Sequence, residues 1–359
     1  MKADSQLLQQ SIQLLKALIA TPSFSREEEK VADLIEQFFK NHGYQPQRKH
    51  NNVWVKSANF DLSKPTILLN SHHDTVKPSV HYSRNPFQPE VIDGKLYGLG
   101  SNDAGGALVC LIAAFRQLEQ SKQAYNLILA ATAEEEISGE KNVADILPEL
   151  GKIALGIVGE PAAMQPAIAE KGLLVIDIDV KGKAGHAARN EGDNAIYKAL
   201  PVIELLKNIK FDKESPLIGP VKLSITQIKA GRQHNVVPDT CTLTLDIRVN
   251  ECYTNHEVFG IIKNALQGHD SYMEIKARSF RLNASKIQFT HPLVKRCLSL
   301  GLNPFGSPTL SDQAVMPFPT LKIGPGQSAR SHTADEFIYL DELEEGQRLY
   351  LDILNGLIL

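Results

Sequence analysis

Four short apolar runs, each opening onto a residue able to bind a metal, constrain this chain more than any other feature. Thr66–Asn70 leads to His72 and Asp74. Asn126–Thr132 leads to Glu134, Glu135 and Glu136. Leu155–Val158 leads to Glu160, and Thr320–Ile323 precedes a glycine-rich loop ending at His332. None of these runs alternates polar with apolar, so each reads as a strand buried on both faces. Such strands belong in a mostly parallel sheet covered by helices, and Gly105–Leu118 (GGALVCLIAAFRQL) supplies one such helix. A parallel sheet gathers the residues that follow its strands at one carboxyl edge, where ligands bind. The expected fold class is therefore α/β.

The pattern changes near Leu173. Leu174–Val180 and Thr242–Arg248 alternate with period two, as in an antiparallel sheet with one solvated face. Helical stretches follow at Asp193–Lys207 and from about His256 to Gln267. These segments predict an inserted α+β module over residues 173–285, interrupting an α/β domain formed by residues 1–172 and 286–359. Ser25-Arg26-Glu27-Glu28 has the form of a capping box, predicting a helix that runs to about Asn41 and stops at Gly43. Asp341 is the expected N-cap of the last helix.

Bulk properties narrow the function classes. A formal net charge of -3 argues against nucleic acid as a partner, which needs a basic face. No apolar stretch approaches the roughly 20 residues of a membrane span. The N-terminal segment has helical periodicity and no secretory signal pattern. Cys110, Cys241, Cys252 and Cys297 form no CxxC pair. A reduced, cytoplasmic protein is the simplest expectation.

Two histidines with several carboxylates suit zinc, including two zinc ions that share one carboxylate. His72 and Asp74 lie two apart, so on a continuing strand they share a side; Asp74 can then accept the second ring N–H of His72. Asp103 opens a helix among Gly98, Gly100, Gly105 and Gly106. A dinucleotide fingerprint fails there because Asp103 stands where its third glycine belongs. Asp103 is taken instead as the bridging ligand. Glu134, Glu135 and Glu136 repel one another unless a cation or water solvates them, and a turn allows both Glu135 and Glu136 to reach one site. In the inserted module His186 sits on a glycine turn where it can donate to an oxyanion, and Asn235 and Arg248 are candidate donors to a substrate carboxylate.

Segments 71–78 (SHHDTVKP), 98–106 (GLGSNDAGG), 132–139 (TAEEEISG), 158–161 (VGEP), 182–196 (GKAGHAARNEGDNAI), 235–239 (NVVPD) and 324–336 (GPGQSARSHTADE) run through nearly the whole chain. Together they resemble the zinc exopeptidase and deacylase family that includes acetylornithine deacetylase, succinyl-diaminopimelate desuccinylase, aminoacylase and carboxypeptidase G, with the acetylornithine deacetylase-like enzymes nearest. The resemblance implies a zinc-peptidase-like mixed sheet with helices on both faces and an inserted dimerisation, or lid, domain. It implies His72 and Glu160 on one zinc, Glu136 and His332 on the other, and Asp103 between them, with cobalt or manganese as alternative metals. It makes Glu135 the general base, Asp74 the residue behind His72, and His186 an oxyanion donor reaching the neighbouring subunit of a homodimer.

The implied substrate is an N-acyl amino acid, acetylated or succinylated, with ornithine or citrulline in arginine synthesis foremost. Succinyl-diaminopimelate, acetyl-lysine and dipeptides are the alternatives within the family, and an inactive metal-binding regulator is the alternative outside catalysis. Two departures stand out: Glu134 replaces the usual Asp before Glu135, and Thr309-Leu310-Ser311-Asp312 replaces Gly-Thr-Ser-Asp in a segment that contacts substrate in relatives.

Overall fold

The computed structural model describes residues 5–359. The first residues of the sequence-predicted α/β domain, 1–4, lie outside them. The chain divides into two compact units. One comprises the residues up to Ile168 together with Lys286–Phe305 and Ser311–Leu359; the other comprises Ala169–Ser285 with Gly306–Leu310. The boundary near residue 170 and the return at Lys286 fall close to the expected positions. Gly306–Leu310, expected in the α/β part, clusters with the second unit instead.

In the first unit the apolar runs form parallel strands. Their order across the sheet is Asn126–Thr132, Thr66–His72, Leu155–Val158 and Thr320–Lys322, and all their residues are buried. Asn52–Lys56 adds antiparallel beside Asn126–Thr132. The chain runs from the central Thr66–His72 strand to one neighbour, Asn126–Thr132, and then crosses to the other, Leu155–Val158. That reversal opens a crevice at the carboxyl end of Thr66–His72. The crossover helix Gly106–Leu118 is buried at every position except Arg116 and Gln117, as a helix between a sheet and further helices must be.

Glycine permits close approach where the strands end. A Cβ on Gly159 would stand 2.7 Å from Leu111 Cδ1, and one on Gly324 would stand 2.5 Å from the Glu160 carbonyl oxygen. Both glycines therefore let the Glu160 loop pack tightly. Tyr350, on the last helix Leu340–Leu354, donates its buried hydroxyl to the Ile323 carbonyl at 2.6 Å, tying that helix to the strand leading toward His332.

The capping-box reading of Ser25–Glu28 is overturned. The helix is Glu29–Asn41, Glu28 occupies its cap position, and no side chain caps it. Ser25 Oγ instead donates to Asp74 Oδ2 at 2.7 Å, a tertiary bond that takes the hydroxyl from local use. Asp341 likewise lies inside the first turn of its helix, whose cap residue is Tyr339.

The second unit holds the antiparallel sheet Lys222–Ala230, Thr240–Val249, Gly172–Lys181 and Met273–Ala277. Gly172–Lys181 alternates buried and half-buried residues along its length, which is the period-two reading realised. Its inner face packs Leu174, Ile176, Ile178 and Val180 with Leu243, Leu245 and Ile247 and with helices Ala195–Asn208 and Asn255–Ala265. No helix among the described residues is long and apolar enough to cross a membrane.

The central strand should dominate the stability of the first unit. Leu68 is fully buried there. Leu68→Ala is expected to cost about 2–5 kcal/mol, read from the urea midpoint at unchanged slope.

Candidate metal centre

The carboxyl ends of the parallel strands bring His72, Asp74, Glu135, Glu136 and Glu160 together, and loops add Asp103 and His332. His72 Nε2 lies 3.2 Å from Asp103 Oδ1 and 3.8 Å from Glu160 Oε1. His332 Nε2 lies 2.9 Å from Glu136 Oε2 and 3.6 Å from Asp103 Oδ2. Each oxygen of Asp103 thus faces a different imidazole, which is the disposition a bridging carboxylate requires. Ligand atoms of His72, Asp103 and Glu136 lie within 4.8 Å of one another, as do those of His72, Glu135 and Glu160. The donors are imidazole nitrogen and carboxylate oxygen, so the set fits divalent zinc-type cations, and His72 is common to both groups.

Metal-ligating histidines need an oriented ring. The Nδ1 atom of His72 is 3.0 Å from the Asp74 backbone carbonyl and 3.5 Å from Asp74 Oδ1. The nearest acceptor is therefore the carbonyl, with the Asp74 carboxylate one step further off. That carboxylate has other tasks: Oδ1 accepts the N–H of Glu135 at 3.1 Å and Oδ2 the N–H of Glu136 at 3.2 Å. Asp74 is fully buried and holds the glutamate turn as well as backing His72.

The strand stops at Thr132, and the turn separates the three glutamates. Glu134 adopts a left-handed φ of 54°, which costs a non-glycine residue about 1–2 kcal/mol. Its side chain turns back to accept the Lys141 N–H at 3.3 Å and packs over Gly139, where any Cβ would collide with it. Glu135 and Glu136 are left pointing into the centre.

The electrostatics follow from burial among like charges. Burial pushes Glu135 well above the ordinary glutamate value, and Glu160 adds to the rise. Burial also raises Glu136, against its bond to His332. Burial alone would raise Asp103, yet its bond and attraction to His72, with Ser331 and His332 adding, bring it down. Burial disfavours the charged form of His72, yet the carboxylates of Asp103 and Asp74 hold its pKa well above the imidazole norm. His332 rises to about 9, chiefly through its bond to Glu136.

Two acidic residues emerge with roles that local sequence did not reveal. Glu336, buried, accepts the N–H groups of Gly100 at 3.1 Å, Asn102 at 2.8 Å and Asp103 at 2.9 Å, fixing the turn that carries Asp103. Burial and then the Asp103 charge push its pKa to about 8. Its only signals were its place four residues after His332 and at the end of the 324–336 segment. Asp312 accepts from Asn70 Nδ2 at 2.8 Å and Thr132 Oγ1 at 2.9 Å, and burial raises it to about 6. Its segment was expected to contact substrate; its carboxylate instead braces two strand ends from within.

The remaining candidates lie in the second unit. His186 is exposed on a short strand pairing with Val236, and its Nδ1 accepts the Ala188 N–H at 3.1 Å. That bond leaves Nε2 as the N–H donor. The Asn235 carbonyl accepts from Ala187 at 2.9 Å, beside His186. Arg248 is elsewhere: it pairs with Leu173 near the opposite end of Thr240–Val249, and its guanidinium grips Asp246 at 2.8 and 3.1 Å. Eight residues of strand, roughly 26 Å at ~3.3 Å each, separate Arg248 from Thr240. Arg248 thus lies at the far end of that strand from Thr240, with its guanidinium on Asp246.

Comparison with known proteins agrees with this geometry. The model of Peptidase family M20/M25/M40 matches residues 68–356. Acetylornithine deacetylase of Shigella sonnei (strain Ss046) is 28% identical over 372 residues, spanning 96% of this chain and 97% of its own. Aminopeptidase PepT of Bacillus cereus ATCC 10987 superposes with a TM-score of 0.78 at 18% identity, covering 97% of this chain and 98% of that one. The YXEP protein of Bacillus subtilis, described as a dinuclear metal-binding peptidase, superposes at 0.74 with 16% identity, over 98% of each chain.

A cation that takes His332 Nε2 must displace its proton below about pH 9. Zinc affinity should therefore climb as pH rises toward that value, with at least one proton released per chain at pH 7. Calorimetric titration of the metal-free protein in buffers of differing ionisation enthalpy measures that release; none at pH 7 contradicts the assignment.

Proposed function

The chain belongs to Peptidase family M20/M25/M40, and is a hydrolase of that family; from that premise we propose that it removes an acetyl or succinyl group from the amine of an amino acid. The observation that carries the chemistry is the position of Glu135. Its carboxylate accepts no hydrogen bond among the described residues, stands within 4.8 Å of His72 and Glu160, and has a raised proton affinity. The support for the substrate class is the 28% identity to an acetylornithine deacetylase over nearly the full length of both chains.

His72, Glu160, Asp103, Glu136 and His332 would hold two divalent cations, zinc foremost, with cobalt and manganese compatible with the same donors. Bound there, the cations supply Lewis acidity and an acidified water. Glu135 accepts the proton of the attacking water and returns it to the departing amine. A carboxylate raised by burial suits both tasks, since it takes a proton readily and remains acidic enough to give it up. Asp74 keeps Glu135 aimed through its backbone N–H. His186 of a second copy is assigned to the oxyanion, with Nε2–H as donor, which makes the working form a homodimer. Asn235 is assigned to the substrate beside it. Arg248, engaged with Asp246, enters only if that ion pair opens.

Ornithine or citrulline, on the route to arginine, is the amino acid favoured, and a cytoplasmic location accords with the four free cysteines. Dipeptide cleavage is the second reading, favoured by the fold shared with aminopeptidase PepT.

Glu135→Gln is expected to lower kcat by about 10³-fold or more while metal content stays at the wild-type stoichiometry. Turnover and metal analysis on one preparation, across zinc-supplemented N-acetyl and N-succinyl amino acids and dipeptides, test both the role and the class. Unchanged turnover in the variant rejects Glu135 as base; dipeptides outpacing every N-acyl amino acid rejects the deacylase.

A further inference from the structure

Four consecutive backbone N–H groups in the glutamate turn donate to side-chain oxygens rather than to backbone. Ala133 donates to Asn52 Oδ1 at 3.0 Å, Glu134 to Glu28 Oε1 at 3.3 Å, and Glu135 and Glu136 to the two oxygens of Asp74 at 3.1 and 3.2 Å. All three acceptor residues are fully buried. The turn is closed on its far side by two backbone bonds, Ser138 N–H to the Glu135 carbonyl at 2.7 Å and Gly139 N–H to the Glu134 carbonyl at 2.8 Å, while the N–H groups of 133–136 on its entering side are held by three side chains reaching it from outside.

Those acceptors are themselves held. Ser25 Oγ donates to Asp74 Oδ2 at 2.7 Å. Glu28 accepts the Arg26 N–H on Oε1 at 2.6 Å and Asn51 Nδ2 on Oε2 at 2.8 Å. Asn52 donates through Nδ2 to the Lys141 carbonyl at 2.7 Å, closing on the far side of the same loop. Ser25 and Glu28 are the two residues whose spacing imitates a capping box, and neither side chain caps the helix that follows. Their polar atoms are spent on the turn and its support.

We infer that Ser25, Glu28 and Asn52 form a bracket that positions the Ala133–Glu136 turn, so that a segment ahead of His72, the first candidate metal ligand in the chain, sets the aim of Glu135. The inference rests on Glu135 being the general base. These three are positioning residues: none needs to touch substrate or metal. A carboxylate is suited to the task because hydrogen bonds to an ionised acceptor are stronger than those between neutral groups, and buried ones hold geometry tightly. Displacement of a reacting group by about 1 Å can cost about a hundredfold in rate.

The bracket can be tested without relying on turnover. Hydrogen exchange on the full-length protein, read on peptides covering residues 130–140, should show the amides of 133–136 protected in the wild type. Glu28→Gln keeps the shape of the side chain but removes its charge, and Ser25→Ala frees one side of Asp74. Both are expected to accelerate exchange in those peptides by about tenfold or more, with the Thr66–His72 and Leu155–Val158 strands unchanged. On a hydrolysed substrate, both should lower kcat by about tenfold or more with KM within about twofold, and Ser25→Thr should restore kcat. Wild-type exchange rates in both variants overturn the bracket. Faster exchange with unchanged kcat overturns its link to Glu135. If the wild type hydrolyses none of the N-acyl amino acids or dipeptides, the functional reading fails, and the exchange measurement still decides the bracket.

Discussion

Repulsion among carboxylates at the end of one parallel sheet is the constraint to which the rest of this structure answers. Asp74, Asp103, Glu135, Glu136, Glu160, Asp312 and Glu336 crowd around His72 and His332. Charges cannot share a partly buried space without partners. The fold sorts them by partner. Asp74 and Glu336 take backbone N–H groups, two for the first and three for the second. Asp312 takes an amide and a hydroxyl. Asp103 and Glu136 face imidazoles, and Glu160 faces His72. Asp103, Glu136 and Glu160, with Glu135, are turned toward the place where cations would fit; Asp74, Asp312 and Glu336 hold the walls.

That division explains which parts were legible beforehand. The buried strands Asn126–Thr132 and Leu155–Val158 coincide with the apolar runs, because a strand covered on both faces can carry no other composition. The period-two alternation after Leu173 is equally direct, since one face of that sheet is less covered. The candidate cation ligands sit right after strands or in glycine-rich loops, and each advertises itself by chemistry. Residues that act through backbone N–H groups leave no such mark. Glu336 looks like any acid in a loop, and Asp312 looks like a substrate contact.

The misread capping box shows why local signatures fail at a site. Ser-x-x-Glu is a sound predictor when the only available partners are the helix's own amides. At Ser25 and Glu28, stronger claims come from a buried aspartate and a strained turn nearly 50 and more than 100 residues away. Tertiary partners outcompete the helix end, and the helix begins later at Glu29. Arg248 shows the opposite case, a local partner rather than a distant one. Its guanidinium looks available in sequence, but Asp246 lies two residues away on the same face of the strand and takes it.

Glu135 is the exception within the acidic cluster. Every other carboxylate there is bonded or faces an imidazole, whereas Glu135 is fixed through its main chain alone, its N–H by Asp74 and its carbonyl by the Ser138 N–H. Its side chain stays near His72 and Glu160 without an anchoring hydrogen bond, and burial with Glu160 lifts its proton affinity. A ligand gains from being tied down by its carboxylate. The general base proposed at Glu135 would gain from the reverse: a rigid backbone beneath a carboxylate without an anchoring hydrogen bond. The left-handed Glu134 is the cost of that arrangement, since the sharp bend it makes is what turns both Glu135 and Glu136 inward from a strand whose alternation would have split them.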